Sequence, residues 1–180
     1  MTATEYVTLV DKNDQAIGTA EKMAAHQQNL LHRAFSIFIF CRHQPLKVLM
    51  QQRAMMKYHS PGLWTNTCCS HPRPDESLEI ATQRRMREEL NFTVELSHAG
   101  YFIYNAHFSN GLSEHELDHV FIGCTDNEWL PAPNHNEVNA LQWLSINVLE
   151  AQMSAHPERF TPWLNAAFNI AKQAALRLYT

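Results

Sequence analysis

The chain has 180 residues, of which 45% are hydrophobic and 18% charged, with a formal net charge of −4. That length and composition admit one domain over residues 1–180 and exclude a disordered or membrane-embedded chain. The acidic balance weighs against a nucleic-acid binder that relies on a general basic surface, although a few cations gathered in one cleft can still receive a small anion.

Residues 1–10 carry an early glutamate, no basic leader and no apolar run long enough for a signal peptide or membrane span, so a cytoplasmic address is expected. A first strand is predicted over 6–10, closed by a turn at 11–14, and 21–27 has a short helical composition. The aromatic and β-branched segment 34–41 and the segment 46–53, joined by a proline-containing turn, predict a hairpin. An aromatic turn, Ser60-Pro-Gly-Leu-Trp64, leads into Thr65-Asn-Thr-Cys-Cys-Ser-His-Pro72. A charged helix follows from about Glu76, with Asp75 as the expected N-cap behind Pro74. Strand compositions return at 92–94, 101–104, 117–124 and 138–144. A last helix is expected from Thr161 as cap and Pro162 in the first turn, with Leu164, Phe168, Ala171, Ala175 and Leu178 along one core-facing stripe. Strands and helices in this mixed order predict an α+β fold, an α/β sandwich with a mixed sheet flanked by helices.

The residues able to carry chemistry each have an ordinary reading as well. Glu114 and Glu116 leave the same face of an extended segment, where a solvated strand edge is the default. His26, His32 and His71 all lie near turns. Three imidazoles with two carboxylates would make a nitrogen- and oxygen-rich site suited to zinc, manganese or magnesium, although spacing alone does not make them converge. The four cysteines include no CxxC pair, so reduced thiols are expected. Cys69 is by default a small buried apolar residue, but beside cations or a metal its thiol pKa would fall toward neutral. Cys68, facing the opposite side, is assigned to packing. Arg84/Glu88 and Arg85/Glu89 have the spacing of a salt-bridged exposed helix face, and Lys22, Arg53 and Lys57 are surface cations unless a phosphate binds.

The charged helix and the loop before it resemble a degraded Nudix signature. Ser70 stands at the first glycine, Glu76, Arg84, Glu88 and Glu89 match, Arg85 replaces a glutamate, and Asn91 replaces the final glycine. Six separated motifs narrow the resemblance to the type I isopentenyl-diphosphate isomerase branch of the Nudix fold: Glu21-Lys-Met-Ala-Ala-His26, Leu31-His-Arg-Ala-Phe-Ser36, Ser60-Pro-Gly-Leu-Trp-Thr-Asn66, Cys69-Ser-His-Pro72, Glu114-His-Glu116 and Thr161-Pro-Trp163.

The resemblance implies one divalent metal (manganese, zinc or magnesium) on His26, His32, His71, Glu114 and Glu116. It makes Cys69 and Glu116 the acid/base pair, with Tyr104 hydrogen-bonded near Glu116 and Trp163 sheltering a carbocation. Lys22, Arg53 and Lys57 would grip the diphosphate, and a magnesium ion would bridge it to Glu89. The expected partner is a small molecule, isopentenyl or dimethylallyl diphosphate, with neither nucleic acid nor membrane. Two other readings compete. A Nudix-type diphosphate hydrolase would need an intact set of helix glutamates, and a non-enzymatic metal domain would need a closed four-ligand set.

Overall fold

Alternation along two long strands divides the core. In a computed structural model that describes residues 4–179, β3 (His32–Cys41) runs parallel to β8 (Ser113–Thr125), with His32 opposite Glu116 and Ile37 opposite Phe121. Phe38, Phe40, Val120 and Ile122 enter one hydrophobic cluster, whereas Phe35, Ile37, Ile39 and Phe121 enter another. Each face therefore needs its own cover. The first is covered by α3 (Ile146–Ala155) and α4 (Leu164–Tyr179), the second by α2 (Leu78–Leu90). Phe168 of α4 is fully buried with its ring 5.9 Å from that of Phe38, so truncating it to alanine would cost about 3–5 kcal/mol.

The remaining elements are β1 (Tyr6–Val10), β2 (Ala16–Glu21), α1 (Lys22–Gln27), β4 (Lys47–Arg53), β5 (Trp64–Thr65), β6 (Cys68–Ser70), β7 (Leu96–His107) and β9 (Val138–Ser145), with a 3-10 turn at Pro157–Arg159. All nine strands join one mixed sheet, in which β2-β1-β3-β4-β5 form a path, β6 and β8 pair with β3, β7 with β8, and β9 with β4. No helix among the described residues is long and apolar enough to cross a membrane. The expectation of a leader-free start rests partly on residues 1–3, which lie outside those described.

The segments 34–41 and 46–53 form the expected antiparallel hairpin, paired at Phe40↔Val48 and Cys41↔Lys47, while β8 and β6 claim most of β3 and β9 claims β4. Several other local expectations are corrected. Asp75 does not cap the charged helix. It sits at φ 62° in the preceding turn, and the Ser77 hydroxyl accepts the Ile80 N–H instead, so Glu76 precedes the helix. Thr161 turns its hydroxyl to Thr65 at 2.9 Å, and α4 begins at Leu164. Leu178 is 61% exposed at the end of α4, where Tyr179 approaches Phe40 instead. Residues 92–94 pair with no strand, and Phe92 packs its ring against Trp129. β2 and α3 had no counterpart in the pattern. The stand-ins for family glycines fit their places: Ser70 lies in β6, and Asn91 closes α2 at φ 56°, a left-handed conformation that asparagine tolerates.

Candidate active site

β8 carries the centre of the site. Its face toward α4 is apolar at Val120 and Ile122 but acidic at Glu114, Glu116 and Asp118, all buried. This reverses the usual default for carboxylates, so each must find partners. β3 supplies His32 opposite Glu116, and α1 supplies His26, whose carbonyl accepts the Ser113 hydroxyl at 2.8 Å. His71 follows β6 directly.

These side chains converge. Glu116 Oε1 lies 2.8 Å from His71 Nε2 and 3.4 Å from His32 Nε2, and the two imidazole nitrogens are 3.2 Å apart. His26 completes a group in which one donor atom from each of the four residues lies within 4.8 Å of the others. His32 Nδ1 faces the Leu30 carbonyl at 2.8 Å; donating there directs the Nε2 lone pair of the neutral ring into the cluster. Both ring nitrogens of His26 and Nδ1 of His71 are buried without hydrogen-bond partners. Orphaned nitrogens of this kind cost about 1–3 kcal/mol each, and a nitrogen- and oxygen-ligated divalent ion would relieve part of that cost. Burial and the neighbouring imidazoles push His26 down to about 2, so it stays neutral and able to ligate. Burial, partly opposed by Glu116, lowers His71 to about 4. Burial pulls His32 down as well, but its hydrogen bond to Glu116 and that charge hold it above its ordinary value. Burial would raise Glu116, yet the two histidines win and hold it well below the carboxylate range. The residues present fit a divalent cation.

Glu114 stands beside that group rather than inside it. Its Oε1 is 2.9 Å from His59 Nε2, and its Oε2 is 3.1 Å from the Tyr104 hydroxyl, which donates to Glu116 Oε2 at 2.6 Å. Burial and the charge of Glu116 raise both Glu114 and Asp118 well above the usual range. The face therefore carries one carboxylate with lowered proton affinity between two with raised proton affinity.

Cys69 faces Ser36 across the β6–β3 ladder, on the acidic side, whereas Cys68 is fully buried beside Ile37 on the other. All four cysteines are free. Burial pushes Cys69 up to about 12, and Arg53 offsets only part of the rise. Cys69, Tyr104, Glu114, Glu116, Asp118 and Trp163 line one cavity, whose empty volume is about 480 Å³ including its open mouth.

Two distant motifs place the aromatic wall. Asn66 donates to the Cys68 carbonyl at 2.6 Å and accepts from Trp163 Nε1 at 3.1 Å, so one side chain ties the thiol strand to the turn before α4. The Arg53 guanidinium lies 5.6 Å from the Trp163 ring centroid and donates to the Ser60 and His59 carbonyls. Lys22 and Lys57 line the same cavity, each tied to a carboxylate, Glu5 at 2.8 Å and Glu137 respectively.

Arg85, expected on an exposed helix face, instead lines the cavity with 14% of its side chain exposed. Glu89, expected to meet magnesium, is outside the lining, 3% exposed, held by Arg85 and Gln51. Sequence reasoning also missed His59, Tyr58 and Asp118. For Asp118 the signal was available: it continues the every-second-residue pattern of Glu114 and Glu116.

The NUDIX domain model matches residues 30–164. An isopentenyl-diphosphate Delta-isomerase 2 of Aromatoleum aromaticum is 46% identical over 165 residues, covering 92% of this chain and 85% of its own. The isopentenyl-diphosphate Delta-isomerase of Serratia proteamaculans is 47% identical, over 88% of this chain and 87% of its own. Among solved structures, DR0079 from Deinococcus radiodurans superposes with a TM-score of 0.73 at 19% identity, over 92% of this chain and 97% of its own, a likeness of fold alone. The chain thus belongs to the isopentenyl-diphosphate Delta-isomerase family, a branch of the Nudix domain proteins.

Proposed function

We propose that this enzyme interconverts isopentenyl and dimethylallyl diphosphate by moving one proton on and one proton off a five-carbon chain. The observation that carries the reading is a thiol, Cys69, and a carboxylate, Glu116, opening from different strands onto one cavity. Protonation of the terminal alkene carbon makes a tertiary carbocation, and loss of a proton from the neighbouring methylene forms the new double bond. A thiol and a carboxylate that share one transferable proton let one group donate while the other accepts, and the reverse reaction exchanges their roles. Tyr104, hydrogen-bonded to Glu116 Oε2, orients that carboxylate.

His26, His32, His71 and Glu116 would hold a divalent ion, with Glu114 as a further ligand once it parts from His59. Manganese, zinc and magnesium all suit such donors, and the ion, when bound, fixes Glu116 and tunes its proton affinity. Trp163 presents an aromatic face able to stabilise positive charge by about 0.5–2 kcal/mol. Lys22, Arg53 and Lys57, with Arg85, are assigned to the diphosphate, whose oxygens would compete with the carboxylates that now occupy the lysines. Glu89 is assigned to magnesium carried with the diphosphate, which requires Arg85 to exchange that carboxylate for phosphate.

Two observations weigh against the hydrolase reading: Arg85 stands where the Nudix signature has a glutamate, and the relatives 46–47% identical over most of the chain are named isomerases. Isopentenyl diphosphate in deuterated buffer decides the matter: we expect deuterated dimethylallyl diphosphate with no phosphate released. Phosphate without isomer would overturn the reading.

A further inference from the structure

A second group of metal-ligating residues lies at the far end of β3. Cys41 closes that strand, His43 follows by two residues, and Glu128 approaches from the chain after β8, with one donor atom from each within 4.8 Å of the other two. Strand steps of about 3.3 Å from His32 to Cys41 place this group roughly 30 Å from the histidine cluster of the cavity, so the two cannot share an ion.

The arrangement has the features of a binding site. Cys41 is fully buried, whereas His43 and Glu128 are exposed, so the soft ligand lies inside and the two others at the surface. Cys41 pairs with Lys47 on β4, and Lys47 donates to Glu128 Oε2 at 2.7 Å, so the residue beside the thiol in the ladder also anchors the carboxylate. Ligating carboxylates are commonly supported in this way by an outer hydrogen bond. A thiolate, an imidazole and a carboxylate are the donors that zinc combines. Bond lengths of about 2.0–2.3 Å in a tetrahedral site hold the donors roughly 3.3–3.6 Å apart, so these three need close by little more than about 1 Å. His43 lies on the turn between β3 and β4, where such a shift disturbs no ladder.

We propose that Cys41, His43 and Glu128 form a second divalent-metal site of zinc type, with water in the fourth position, clasping the β3–β4 turn to the chain after β8. Cobalt, which reports a thiolate ligand by an intense near-ultraviolet charge-transfer band, tests it on the reduced full-length protein. The band should develop in the wild type and in Cys69→Ala but not in Cys41→Ala. His43→Ala and Glu128→Gln should raise the midpoint of the cobalt titration by at least about tenfold while isomerase activity is unchanged. A band that survives Cys41→Ala, that is lost in Cys69→Ala, or that never forms at millimolar cobalt would overturn the proposal. Should Cys41→Ala fail to fold, the two exposed variants decide it: an unchanged midpoint in both refutes the site.

Discussion

At the scale of single residues, one step of the strand separates a cysteine that lines the cavity from one packed in the core. Cys69→Ser is expected to lower kcat by about 10²–10⁴-fold with the fold intact, because the group proposed to transfer a proton is lost from the cavity. Cys68→Ser, on the opposite face, should change stability rather than rate, and equal rates in the two variants would remove the thiol from the mechanism. His59 gives a pH-dependent signal. Burial, with help from Arg53, pushes it down to about 3, while the unfolded chain protonates near its ordinary value of about 6.5. The unfolded state thus binds the extra proton first. The stability that His59 contributes is complete above about pH 6.5 and is lost as the pH falls toward 3, at up to about 1.4 kcal/mol per pH unit. Urea unfolding between pH 7 and 5 should show a shallower loss in His59→Asn, and parallel curves would contradict the assignment.

At the scale of elements, α2 shows how a family pattern is kept with different residues. Asn91 supplies the left-handed C-cap at φ 56° and ψ 25°, its backbone N–H bonds to the Arg87 carbonyl, and its side-chain amide donates to Ala132 at 2.7 Å. Asn91→Ala should destabilise by about 1–2 kcal/mol through the strained conformation and the lost bond. Asn91→Gly loses only the bond and should cost less than half as much by thermal denaturation. Equal losses would mean that the backbone conformation contributes little. β8 carries the complementary lesson: one strand face is acidic at Glu116 and core at Ile122, because His32 of β3, His71 and Tyr104 of β7 meet it at one end and Phe38 and Phe168 pack at the other.

At the scale of the whole molecule, the histidine cluster joins α1, β3, the segment after β6 and β8, so a bound ion would staple four parts of the chain. Metal at about one hundred times its dissociation constant should raise stability by about 2.7 kcal/mol, read as a higher Tm than that of chelator-treated protein. His71→Ala and His32→Ala should each lose most of that gain together with bound metal and activity. Full occupancy in either variant would place the ion elsewhere.

The sequence by itself determined the mixed sheet between helices, the six separated motifs and the separation of Cys68 from Cys69, because strand alternation and motif spacing are local properties. It also named the histidines, the carboxylates and Trp163. Only the tertiary structure decided that Glu114 turns to His59 and Tyr104, and that Arg85 enters the cavity while Glu89 is held behind it. Those outcomes depend on burial and on charges brought together from distant segments, as when Asn66 meets Trp163, and no spacing along the chain encodes the solvent exposure or the neighbour that sets a proton affinity.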